Sequence, residues 1–166
     1  DWEAPARPSD SASFTRYVAF LHAQVEELLT QYGDIGVMWF DGEWESTWTH
    51  ELGIALADKC RALQPSVIVN NRVAPNRAGM NDPNIGKIGD FGTPEQNIPD
   101  RGLPGVDWES CITMNGNWGY NRADRAFKSV PTLVSMLSDT ASKGGNLLLN
   151  VGPMASGAIP PESVER

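Results

Sequence analysis

Apolar residues fall in two rhythms, one helical and one strand-like, which alternate from residue 13 to the end of the chain. Phe14, Tyr17, Val18, Leu21, Val25, Leu28, Leu29 and Tyr32 recur at three- and four-residue steps, predicting a long amphipathic helix with one inner face. Ser13 suits its N-cap and Gly33 its C-terminal stop. Residues 35–40 then make a short unbroken apolar run, the pattern of a strand buried on both faces. A second helix is predicted over 49–63, with Leu52, Leu56, Cys60 and Leu63 in step and Pro65 closing it; 67–69 is the next buried strand. Residues 74–87 are rich in Asn, Pro and Gly and read as a long loop, a kind of segment that is often functional. Further on, the pattern predicts strands at 88–91 and 108–113, a helix over 129–143 and a buried strand at 147–149. Pro131 falls in the first turn of that last helix, and Leu133, Met136, Leu137 and Ala141 form its inner stripe.

Helices alternating with short apolar strands imply an α/β chain of parallel units. An open doubly wound sheet and a (β/α)₈ barrel both fit. No G-x-G-x-x-G follows any strand, which removes the main signature of a dinucleotide-binding sheet. Polar and aromatic clusters close almost every strand: WFDGEW, NNR, GDFGTPEQ, TMNGNWGY and NVGP. In a barrel such ends converge on the catalytic face, so the pattern favours the (β/α)₈-like TIM barrel. With 166 residues the chain is short for a whole barrel, which takes about 250. It opens on Asp1 and closes on ESVER, so part of a barrel is expected.

Composition narrows the function classes. The formal charge of −8 offers no clustered positive face for phosphates, so a nucleic-acid partner is not expected. No apolar run reaches the roughly 20 residues that span a bilayer. Cys60 and Cys111 are too few for a disulfide framework and are not spaced as metal ligands, so each reads as a small buried hydrophobe. His22 reads as a surface or packing residue and His50 as a capping or exposed one.

Asp41 follows an apolar strand, where a carboxylate is costly to desolvate unless it is paired, bonded or used. It is a candidate catalytic nucleophile, with the capping of the following turn as the plainer role. Glu95, held behind Pro94, is a candidate acid/base; Glu109, beside Trp108, is its rival and a solvated loop position the plainer reading of Glu95. Two carboxylates serve glycoside hydrolysis, one attacking the anomeric carbon and the other shuttling protons, at about 5–5.5 Å apart when configuration is retained. Trp39, Trp44, Trp48, Trp108 and Trp118 concentrate near strand ends and loops, where indole faces can pack on sugars or simply fill core. Arg72 can hold a sugar hydroxyl, orient a carboxylate or form a structural ion pair.

Taken in order, WFDGEW, VNNR, TPEQ, WESC-x-T-x-N-x-x-WGY and KGGNLLLNVGP resemble the α-L-fucosidases of glycoside hydrolase family 29, from about Tyr17 to the C-terminus. The resemblance implies a barrel enzyme that hydrolyses terminal α-L-fucosides with retention, without cofactor or metal. It implies Asp41 as nucleophile, Glu95 as acid/base with Glu109 as the alternative, and Trp39, Arg72 and Trp118 as sugar-binding residues. Trp118 would cover the methyl at C6 of fucose. The partner implied is a fucosylated glycan or glycoconjugate, and the localisation secreted, periplasmic or lysosomal. The family carries paired histidines on earlier strands, whereas this chain has only His22 and His50, so residues 1–166 are expected to form a partial barrel lacking its first strands. Another retaining glycosidase of the same class and a non-catalytic carbohydrate-binding fragment remain the alternative readings.

Overall fold

The computed structural model describes residues 11–78 and 88–166. The chain divides into two compact units, one running to Asp90 and the other from Phe91.

The first unit opens with helix α1 (Ser11–Gln31), followed by strand β1 (Val37–Met38), helix α2 (His50–Leu63) and strand β2 (Ile68–Val69). Because α1 already includes Ser11, Ser13 lies in its first turn and is not its cap. Its inner face is also narrower than predicted: Val25 and Leu29 are buried, while Tyr17, Leu28 and Tyr32 are exposed. Thr49 caps α2 by accepting the Leu52 N–H, so His50 is the first helical residue and not the cap. Leu56, Ala57 and Cys60 of α2 join Val25, Leu29, Val67 and Val69 in one apolar core. Gln64 ties the end of α1 to the start of β1: its Nε2 donates to the carbonyls of Leu29 (2.8 Å) and Gly33 (2.9 Å), and its Oε1 accepts the Ile35 N–H (2.7 Å). Gly53 is required where α2 meets the chain after β2, since a Cβ there would lie 2.4 Å from the Cβ of Ala74.

β1 and β2 pair in parallel, with Val37 opposite Ile68 and Met38 opposite Val69. The helix-facing members are packed, but Val37 and Ile68 are 47 % and 44 % exposed, so the predicted burial on both faces is not found. Inward-pointing residues of a barrel are packed by layers of side chains from other strands, and this pair stands on the face such layers would cover. A 3₁₀ turn (Asn71–Val73) and a one-turn helix α3 (Pro75–Ala78) follow, with Asn76 and Arg77 in the left-handed region. The remainder of the predicted 74–87 loop lies outside the described residues.

The second unit contains strand β3 (Glu109–Thr113), helix α4 (Val130–Ser142), strand β4 (Asn146–Asn150) and a short helix α5 (Pro161–Val164). β3 and β4 are parallel, with Cys111 opposite Leu148. Ser129 caps α4 and Pro131 stands in its first turn, as predicted. Of the predicted inner stripe Leu133 is buried and Met136 half-buried, while Leu137 and Ala141 are exposed and Thr140 takes a buried place. Trp108 is core: Gly145 lies so close that a Cβ would fall 2.3 Å from the indole.

No strand forms at 88–91. An extended run further along the chain pairs with the start of β3 through the parallel bridges Gly92–Trp108 and Glu95–Cys111. The Gly92 N–H donates to the Asp107 carbonyl (2.8 Å), the Glu109 N–H to Gly92 (2.9 Å) and the Cys111 N–H to Pro94 (3.0 Å). Pro94 has no N–H to give back, which interrupts the ladder and leaves bridges in place of a continuous strand.

Candidate active site

Asp41 follows β1 by three residues, at the C-terminal end of the strand. Two side chains from the segment after β2 hold this point. Asn70, fully buried, accepts the Phe40 N–H on Oδ1 (2.8 Å) and donates from Nδ2 to the Phe40 carbonyl (2.8 Å), extending the β1–β2 pairing by one side-chain rung. Arg72, 4 % exposed, donates from Nη1 to Oδ1 of Asp41 at 2.9 Å. The guanidinium also stacks over the Trp39 ring, 4.8 Å from its centroid. The side chain of Asp41 itself is 52 % exposed, so a buried cation supports a carboxylate open to solvent. Gly42 turns the chain away with φ +101°, a conformation that disfavours any side chain. The turn is closed by the Glu45 N–H donating to the Gly42 carbonyl (3.1 Å), and the partner of the Asp41 carboxylate among the described residues is Arg72. The capping role for Asp41 is therefore not what the structure shows.

Around this carboxylate the first unit forms a cavity of about 260 Å³, lined by Phe14, Tyr17, Glu43, Trp48 and Arg72 among others. Glu43 is buried and paired with Nε of Arg77 at 2.8 Å. Trp48 anchors the wall by donating its indole N–H to the Val73 carbonyl (2.8 Å). The indoles thus divide in use: Trp48 and Trp108 are structural, Trp39 stacks on Arg72, and Trp44 and Trp118 remain exposed.

In the second unit Glu95 closes the extended run, level with Cys111 in mid-β3. Glu109 opens β3 and pairs with Asn146 at the start of β4. It therefore lies two residues, about 6.6 Å, back toward the N-terminal ends of these parallel strands. Trp118 sits in the loop after β3, 43 % exposed. Asp124 organises that loop, accepting the N–H groups of Gly116 (2.8 Å) and Ala126 (2.8 Å) and the side-chain amide of Asn117 (2.7 Å). These bonds, the Ala126 N–H first, hold its carboxyl below the usual carboxylate range. Backbone at Gly119 and Tyr120 packs on Gly152 of the NVGP segment, where a Cβ would come within 2.6 Å of both.

Cys60 and Cys111 are buried free thiols, and burial pushes the Cys60 thiol up to about 11. Among the described residues no cluster of three or more His, Cys, Asp or Glu is placed to hold a metal ion, and no helix is long and apolar enough to cross a membrane.

The family model described as "Alpha-L-fucosidase" matches residues 1–166. The chain belongs to the α-L-fucosidase family. It is 33 % identical over 156 residues to the α-L-fucosidase of Branchiostoma floridae, covering 87 % of this chain and 32 % of that protein. Among solved structures, α-L-fucosidase isoenzyme 1 from Paenibacillus thiaminolyticus is 39 % identical with a TM-score of 0.80, over 96 % of this chain and 38 % of that one. A family 29 enzyme from Bacteroides thetaiotaomicron, solved as a trapped covalent intermediate with 2-fluoro-fucosyl fluoride, is 27 % identical with a TM-score of 0.81 over 98 % and 41 %. The two parallel βαβ units are thus part of a TIM-barrel-type fucosidase fold, and no closed barrel is formed by the described residues. The chain spans about a third of the length of the relatives it matches.

Sequence reasoning missed Asn70, Glu43 and Asp124 as shaping residues. Asn70 left the clearest signal, a polar residue directly after an apolar strand run.

Proposed function

We propose that residues 1–166 form a partial catalytic barrel of a retaining exo-α-L-fucosidase, with Asp41 as nucleophile and Glu95 as acid/base. The observation that carries this reading is the ion pair between buried Arg72 and half-exposed Asp41 at the C-terminal end of β1. Arg72 holds the carboxylate in place and aims it, as attack on an anomeric carbon requires. Departure of the leaving oxygen needs a proton, which Glu95 supplies before taking one from water in the second step. Glu95 is favoured over Glu109 because barrel chemistry collects at the C-terminal ends of strands, where Glu95 lies and Glu109 does not. Trp39 and Arg72 form one wall of the sugar site, and the exposed face of Trp118 suits the apolar C6 methyl of a terminal fucose on a glycan.

Labelling tests this directly. The full-length gene product, treated with 2-fluoro-fucosyl fluoride and digested, is expected to carry one fucosyl adduct on the peptide containing Asp41. An adduct elsewhere, or greater turnover of an aryl galactoside than of the aryl α-L-fucoside, overturns the reading. Glu95→Ala is expected to slow deglycosylation, with added azide releasing the retained α-fucosyl azide; the same rescue in Glu109→Ala would transfer the acid/base role to Glu109.

A further inference from the structure

Gln96, immediately after Glu95, holds a backbone φ of +50°. A left-handed glutamine is strained and persists only where its surroundings enforce it. The ladder to β3 shows what enforces it here. After the Cys111 N–H has donated to the Pro94 carbonyl (3.0 Å) and the Gln96 N–H to the Cys111 carbonyl (2.9 Å), the next parallel rung would take the Thr113 N–H to the carbonyl of Gln96. The Thr113 N–H goes instead to Oε1 of the Gln96 side chain, at 3.3 Å. From the same amide, Nε2 donates to Oγ1 of Thr113 at 2.9 Å. The Oγ1 hydroxyl has the Asn115 carbonyl as its near acceptor (2.6 Å) and Oε1 of Gln96 as a longer one (3.3 Å), while its lone pairs accept from Nε2. Thr113 is buried at the end of β3, which makes it a rigid anchor.

We infer that Gln96 is a positioning residue for Glu95, its side chain standing in for a backbone rung so that the chain can turn away directly after the carboxylate. The inference rests on the reading of Glu95 as acid/base. Glu95 is fixed on one side by its bridge to Cys111 and on the other by the Gln96–Thr113 clasp, which sets the direction of its Cα–Cβ bond. A continued strand would send residue 96 onward along β3; the left-handed residue ends the strand there and leaves Glu95 at its tip. The clasp needs an acceptor and a donor on one planar group of this length. Asparagine is a methylene short, and glycine relieves the backbone but has no amide.

The test uses the full-length gene product and a pair of α-L-fucosides differing in leaving group. A dinitrophenyl fucoside departs without protonation, whereas a methyl fucoside requires the acid. In Gln96→Gly and Thr113→Val, kcat/KM for the methyl fucoside is expected to fall about 10–100-fold, part of the 10²–10⁴ that acid–base catalysis supplies, with little change for the dinitrophenyl compound. Thr113→Ser keeps the hydroxyl and should behave as wild type on both substrates. Equal losses on both substrates would mean a merely structural clasp and overturn the inference, as would unchanged kinetics. If Gln96→Gly does not fold, the contrast between Thr113→Val and Thr113→Ser decides alone. Failure of the underlying reading is separable: if Glu95→Ala gives no azide product, the acid/base assignment falls, whereas a normal Glu95→Ala result with leaving-group-blind Gln96 and Thr113 variants removes only the positioning role.

Discussion

Replacing Arg72 by Met keeps the bulk under Asp41 but removes the charge, the bond to Asp41 and the cation over Trp39. Because Asp41 is half exposed, solvent can partly replace the lost partner, and the damage to folding should be smaller than for a fully buried pair. The damage to catalysis should be larger, about 10²-fold in kcat, as expected when a reacting group is no longer held in place. Arg72→Lys should recover little of this, since an ammonium cannot both bond Asp41 and stack flat on Trp39. Steady-state kinetics on an aryl α-L-fucoside, read beside the urea midpoint, separate the two effects. Asp41→Gly should be inert, with azide producing the inverted β-fucosyl azide, the opposite anomer to that from Glu95→Ala.

Among the elements, α2 is the one on which the first unit depends, and Gly53 is its tightest point. Gly53→Ala drives a methyl into Ala74 and the Val73 carbonyl, and overpacking of this kind should cost about 1–3 kcal/mol, visible as a lowered urea midpoint. The loop carrying Trp118 depends on Asp124 in a comparable way. Asp124→Ala removes acceptors for three donors and should raise acrylamide quenching of tryptophan fluorescence while raising KM more than it lowers kcat. Elements with strong local chemistry were legible in the sequence. Thr49 and Ser129 mark the starts of α2 and α4, and the apolar runs mark β1, β2 and β4. The strand expected at 88–91 was misplaced because apolar pattern does not register the hydrogen bond that Pro94 cannot make. The stripe of α4 was misjudged because Thr140, a polar residue, takes a core position that pattern reading gave to Leu137.

At the scale of the molecule, three groups that titrate below neutrality act in one direction. His22 is held below its ordinary 6.5, by burial first and then by Lys59; Glu26 lies below its ordinary 4.5 through its bond to Lys59, and Asp124 below its ordinary 3.8. In each case the unfolded chain takes up protons first as pH falls, so stability rises with pH across these windows and is lost on acidification. The urea midpoint is expected to decline from pH 7 downward, first through His22 and then through the carboxylates, and His22→Gln should flatten only the upper part. The thiols are expected to stay silent to a thiol reagent in the native protein and both react in denaturant, since Cys60 and Cys111 are buried. The nucleophile candidate Asp41 and the sugar-binding candidates Arg72 and Trp39 were readable because strand ends concentrate polar residues where a barrel does chemistry. The role of Asn70 was marked only by its place after an apolar run, and that of Gln96 not at all, because each acts through bonds that residue type alone does not reveal.

The bond between Arg72 and Asp41 joins residues 31 apart in sequence, with the whole of α2 between them. Such a contact cannot form early. Its closure waits until the intervening helix has formed and docked and the flanking strands have found their register, because the entropy of closing the loop is recovered only by that packing. The Trp39 ring lies on the same guanidinium. The fluorescence lost on Trp39→Phe is therefore a built-in clock for a late step of this unit's assembly, and that component should lag behind the rise of helical dichroism in refolding.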